Sequence, residues 1–149
     1  MSIKRVYFEN HNLLLSVFYG KLTNVELGQH VLTLNEAYKD KGTVHELADC
    51  RYLTDVSEMT GGGAAFAAGM GAGQKRTFNS KGAIVVASDA VYGLARAYTT
   101  FARETRIDSR VYRSIDEAIE WLGAGILRSE IIAFSDKTAD LSPGLPDLC

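Results

Sequence analysis

Lys81-Gly-Ala-Ile-Val-Val-Ala87 is a short run in which polar and apolar positions do not alternate. A strand of that kind must be covered on both of its faces, which is the habit of parallel sheets flanked by helices. The flanks agree. Ser88-Asp89 offers a helix cap, and Val91, Leu94, Tyr98 and Phe101 then recur on one helical face. A strand followed at once by an amphipathic helix demands a crossover connection, so this one segment already points to an α/β fold.

The same grammar runs along the rest of the chain. Arg5–Glu9 and Leu13–Tyr19 are β-rich runs joined by Asn10-His11-Asn12, a short hairpin loop, and Gly20 breaks the second run. Thr23-Asn-Val-Glu26 has capping-box spacing, and Leu27, Val31, Leu34 and Tyr38 form one stripe. The spacing predicts a helix over about 24–40, stopped by Gly42. Thr43–Ala48 reads as a third strand ending at Asp49-Cys50-Arg51, and Arg110–Arg113 as a fifth. Ser114-Ile-Asp-Glu117 is a second capping box, opening a helix that Gly123 stops. The expected fold is a single α/β domain with a mostly parallel five-stranded sheet, an N-terminal hairpin and about four helices. Its boundary is expected at residue 123, with 124–149 a C-terminal extension that is partly flexible or docked on a partner.

A chain of 149 residues can bury one real core. A net charge of −2 lacks the basic excess that nucleic-acid binding needs. No apolar run is long enough for a membrane span, and the first residues lack the apolar core of a signal peptide. With only Cys50 and Cys149, a disulfide framework is not expected. A reduced, cytoplasmic protein is.

Eleven of the thirteen residues from Gly61 to Gly73 are glycine or alanine, with Lys75 and Arg76 following. A phosphate loop would need Lys-Ser/Thr after the last glycine, but Gly73 precedes Gln74. The glycine spacing also misses the dinucleotide pattern. Met59, Gly63, Phe66 and Met70 recur at four, three and four, so a helix is expected with those residues on its packed side and Asp55-Val-Ser-Glu58 as its cap. Six glycines cost such a helix on the order of 5 kcal/mol relative to alanine. Either very close packing compensates, or the segment frays into a movable flap.

The block Gly82–Asp89, the helix with Tyr92-Gly-Leu-Ala-Arg96, and Arg110-Val-Tyr-Arg followed by Asp116-Glu-Ala-Ile-Glu-Trp-Leu122 resemble the SpoIIAA-like family. That family is related to STAS domains and has been compared with CRAL-TRIO lipid-binding domains. The resemblance spans roughly residues 4 to 123. It implies a STAS-like α/β fold and a regulatory or ligand-binding role. STAS switches carry a phosphorylatable serine in Asp-Ser-Ser/Thr-Gly, whereas the matching region here reads Ala48-Asp-Cys-Arg-Tyr-Leu-Thr-Asp-Val-Ser57. The aspartate is present and the rest is not, so Ser57 or Thr54 could be a phospho-acceptor only by analogy.

Open parallel sheets bind ligands at the carboxyl ends of their strands. That rule gathers Asp49, Arg51, Tyr52, Ser88 and Asp89 at one edge, with Tyr92 and Arg96 one and two turns into the following helix. The alternative is that Asp89 only caps that helix and Arg96 only faces water. His11, His30 and His45 have no ligand spacing, and neither a metal nor another cofactor is expected. The leading expectation is a non-enzymatic domain that binds a small or lipid-like molecule, or a protein partner, and forms a homodimer. Two alternatives stand beside it: a small hydrolase or transferase using Cys50, Ser57 or Ser88, and a purely structural homo-oligomer that pairs through 126–134 and the Gly/Ala helix.

Overall fold

The computed structural model describes residues 2–104 and 107–141. The strands are β1 (Ile3–Phe8), β2 (Leu13–Lys21), β3 (His45–Asp55), β4 (Lys81–Val85) and β5 (Asp108–Tyr112). They lie side by side in chain order. β1 runs antiparallel to β2, and β2 to β5 are mutually parallel. The hairpin turns through a single 3₁₀ turn, Glu9–His11, and Asn12 takes a positive φ of 48°. Asparagine tolerates that conformation because its short polar side chain can bond locally, and here Asn12 Oδ1 accepts from the Tyr7 hydroxyl at 3.1 Å.

Each parallel step crosses over through a helix: α1 (Asn24–Ala37), α2 (Gly61–Met70) and α3 (Asp89–Glu104). Because every strand is laid on the same side of its predecessor and crossovers are right-handed, all three helices fall on one face of the sheet. Leu27 and Val31 of α1 and Ala64 and Ala67 of α2 pack there on Phe18, Ala48 and Ile84. The opposite face is covered by α4 (Ile115–Trp121) and α5 (Arg128–Ala139). Ile115, Ala118, Ile119 and Ile131 bury Leu13, Leu15, Val17, Leu47, Ala83 and Val85. The apolar run of β4 is thus covered on both faces, as its lack of alternation requires.

The first capping box forms in both directions, whereas the second is reduced to its serine cap. Thr23 Oγ1 accepts from Glu26 N at 3.2 Å while Glu26 reaches back to Thr23 N, and Ser114 Oγ accepts from Glu117 N. Gly123 takes a φ of 68°, the left-handed turn that ends α4. β3 runs to Asp55, well past Ala48, and carries a register shift between the pairs Val17–Asp49 and Tyr19–Tyr52. The boundary expected at residue 123 does not separate two units. α5 begins five residues later, and its Ile131 is fully buried in the same core as Leu15 and Leu47. The sheet face that the three crossovers leave open needs a cover, and this helix supplies part of it. The last part of the expected extension, 142–149, lies outside the described residues.

Candidate functional site

α2 is a helix, but its buried side differs from the one its larger residues suggest. Ala64, Ala67 and Ala68 are buried, whereas Phe66 is 72% exposed. Of the expected packed set, Met59 and Met70 are half-buried against the α1–α2 core and Gly63 faces α1. The physical reason is proximity. α2 lies between α1 and α3, so only the smallest side chains fit on its inner face. A Cβ on Gly63 would run into the Asn24 side chain, and one on Gly69 would come within 3.1 Å of the Phe101 ring. The cap is also displaced: Thr60 Oγ1 accepts from Gly63 N at 2.9 Å, and Asn24 holds Thr60 in turn through Nδ2 and Oδ1. Asp55 instead closes a local turn, accepting from both the backbone N and the hydroxyl of Ser57.

Beneath this helix layer lies a cavity of about 100 Å³. Its walls are mostly apolar, among them Phe18, Leu27, Leu53, Val56, Met59 and Ile84. Polar groups also reach it: His30 from α1, Glu46 and Cys50 from β3, Arg76 from the segment after α2, and Tyr98 from α3. Period-two alternation on β3 aims Glu46, Ala48 and Cys50 at the same side. Helical spacing puts His30 on the stripe of Leu27, Val31 and Leu34, so it is only 3% exposed.

Arg5 Nε donates to His30 Nδ1 at 3.0 Å. A guanidinium can only donate, so Nε2 is the protonated ring nitrogen, and it meets Glu46 Oε2 at 2.9 Å. Ser16 Oγ donates to the same oxygen at 2.8 Å. Burial alone would raise the Glu46 carboxyl. The electrostatic pull and hydrogen bond of His30, the hydroxyl of Ser16 and the charge of Arg76 outweigh it and hold the group at about 2. Arg76 is buried, with Nε and Nη2 both on Asn35 Oδ1 at 3.0 and 2.8 Å, while Asn35 Nδ2 donates to Met70 O. Burial pushes the Tyr98 phenol up, with Glu46 adding to the rise and Arg76 opposing it, and its hydroxyl has no hydrogen-bond partner among the described residues. Burial, then Asp49 and Glu46, also push the Cys50 thiol up, away from the thiolate a nucleophile needs.

The seven residues expected at the carboxyl ends of the strands fall into two groups on different layers. Asp49, fully buried, accepts from Arg51 Nε and Nη2 at 2.9 and 2.8 Å, and Arg51 lies 5.2 Å from the Tyr52 ring centroid. Tyr52 packs against the α4–α5 core. Ser88, Asp89, Tyr92 and Arg96 belong to the α3 side. Ser88 Oγ caps α3 by accepting from Val91 N. Asp89 is 96% exposed and pairs with Arg113, while Arg96 donates to the Tyr92 hydroxyl at 3.2 Å. Ser57 and Thr54 are exposed, as is His11, and His45 Nδ1 accepts from Lys81 N at 2.9 Å. Among the described residues no group of three His, Cys, Asp or Glu is placed to hold a metal ion.

Sequence reasoning missed the cavity's own polar set. Glu46 and Arg76 sit toward the amino ends of β3 and β4, opposite to the end where ligands of open sheets are sought. Two signals were available: a histidine on the apolar stripe of α1, and a glutamate on the same strand face as Ala48 and Cys50.

No protein-family model matches the sequence, and no curated protein matches it at a significant level. Among solved structures, the chain is similar to an uncharacterized protein of the DUF3478 family from Shewanella loihica PV-4, described as having a SpoIIAA-like fold. The TM-score is 0.52 at 19% identity, over 80% of this chain and 91% of that one. No helix of the described residues is long and apolar enough to cross a membrane. The chain has a SpoIIAA-like α/β fold.

Proposed function

We infer that the protein is a non-enzymatic ligand-binding domain that holds a small, mainly apolar molecule with one polar end between the sheet and helices α1 to α3. The cavity carries this reading. It combines apolar walls with a few convergent polar groups, the usual composition of ligand sites. Its volume is of the order of the engineered apolar cavity of about 150 Å³ that admits benzene. The apolar part of the ligand lies against Phe18, Leu53 and Ile84, and its polar end takes the Tyr98 hydroxyl, which no described residue bonds. The raised Cys50 thiol speaks against covalent chemistry there. A panel of phenol, indole and short-chain fatty acids, followed by thermal shift, tests the reading. At least one member is expected to raise Tm in the wild type, and the same compound is expected to have no effect on Ala48→Leu, whose larger side chain occupies the space. A panel without any such shift overturns it.

Self-association is a second reading that one observation favours. Phe66 of α2 and Leu32 of α1 project from the outer side of the helix layer, 72% and 52% exposed. Light scattering should give a dimer mass that Phe66→Ser reduces to the monomer's. A wild-type monomer removes this reading.

A further inference from the structure

A second concave surface runs along the β5 edge of the sheet, apart from the cavity. It is a groove of about 360 Å³ between α3 and β5. Tyr92, Arg96, Thr99 and Arg103 line it at steps of four, three and four, one stripe of α3. The other wall is β5 itself, which ends the sheet. Asp108 N bonds to Ser80 O and Tyr112 O accepts from Val86 N, so these residues use their backbone groups on β4. Alternation then turns the N–H and C=O of Ser109 and Val111 outward. Arg103 Nε occupies the Ser109 carbonyl at 3.0 Å, which blunts that end of the edge and, among the described residues, leaves Val111 as its open rung.

The charge is as one-sided as the geometry. Among the described residues, the ion pairs on this edge are Arg110 with Asp108 at 3.9 Å and Arg113 with Asp89 at 2.7 Å. Arg96 and Arg103 have hydroxyl and carbonyl partners but no carboxylate among the described residues. In a chain of net charge −2, two such guanidiniums beside a strand edge that no described strand fills are complementary to an acidic strand.

We propose that this edge is the docking site of an extended acidic segment of a partner protein, which adds to β5 as a sixth strand and sets its carboxylates against Arg96 and Arg103. Seven helical residues separate the two arginines by about 10 Å along the axis. Same-face residues two or four apart in a strand span about 7 or 13 Å, and the arginine stems cover the difference. A free anion would use the guanidiniums and leave the Val111 amide unchanged, whereas a strand engages both.

The test uses the whole protein and two fluorescein-labelled eight-residue peptides, one alternating glutamate with threonine and the other glutamine with threonine. Anisotropy is expected to show saturable binding of the glutamate peptide and at least tenfold weaker binding of the glutamine peptide. Binding should slow exchange of the Val111 amide at least tenfold, and R96Q/R103Q should lose at least tenfold in affinity. Absence of saturable binding, equal binding of both peptides, or binding that leaves Val111 exchange unchanged overturns the proposal. If inorganic phosphate displaces the peptide without any Val111 protection having been seen, the groove is a small-anion site instead. Should the double variant melt differently from the wild type, the comparison of the two peptides on the wild type decides.

Discussion

Glu46 shows how a single carboxylate can tie three elements together. It joins β3 to Ser16 of β2 and to His30 of α1, which Arg5 of β1 holds from behind. A carboxyl held at about 2, against an ordinary 4.5, adds stability that is complete above the ordinary value and is lost as pH falls toward 2. That difference amounts to about 3 kcal/mol at most. Urea unfolding of wild type and Glu46→Gln should therefore differ most at pH 6 to 7, with the gap narrowing below pH ~4.5. A gap that stays constant down to pH ~3 would mean the carboxylate is not held this way. Ser135 makes the opposite case. It is fully buried in α5, and its hydroxyl has no partner among the described residues. Ser135→Ala removes an unpaired polar group, so a gain of about 1 kcal/mol in chemical denaturation is expected.

At the scale of elements, the Gly/Ala helix lies close against both of its neighbours. α2 is thin so that α1 and α3 can approach it, and glycines in different helices have different duties. Gly63 faces Asn24, whose side chain also holds the Thr60 cap. Gly93, inside α3, has nothing near the place its Cβ would take. Gly93→Ala should therefore stabilise by about 0.5–1 kcal/mol through backbone entropy alone. Gly63→Ala should destabilise by about 1–3 kcal/mol, because Asn24 must move and the cap loosens. Matched thermal melts of the two variants check the pair, and shifts of the same sign would refute the close-packing account.

For the whole molecule, the arrangement of crossovers decides which parts are indispensable. Three right-handed crossovers in strand order place α1, α2 and α3 on one face, and the other face depends on α4 and α5. Ending the chain at Gly123 removes α5 and uncovers part of the face formed by Leu13, Leu15 and Val17, which are at most 3% exposed in the intact protein. Such a chain should show no cooperative thermal transition by circular dichroism, and should aggregate in light scattering. A sharp transition near that of the full chain would return α5 to the status of an appendage.

Much of this was legible in the residues because it is local. The double-sided burial of 81–87, the capping box at Thr23, the serine cap at 114, the glycine stop at 123 and the α1 stripe depend on neighbours a few positions away. Those neighbours determined the class of the fold. The seven-residue ligand edge was inferred from a rule about strand ends, and the rule could not say which face each strand would present. The register shift in β3 brings Asp49, Arg51 and Tyr52 together toward α4 and α5, whereas Tyr92 and Arg96 lie along the far edge of α3. Only the tertiary structure joined His30, Glu46, Arg76 and Tyr98 around one cavity, and only it turned Phe66 outward and sank Ala64 and Ala68. The sequence by itself determined the elements and their kind, through forces that act over a turn or a strand's pleat. Which side chains meet depended on the order and hand of the crossovers, since that alone sets which faces are opposed and how closely they approach.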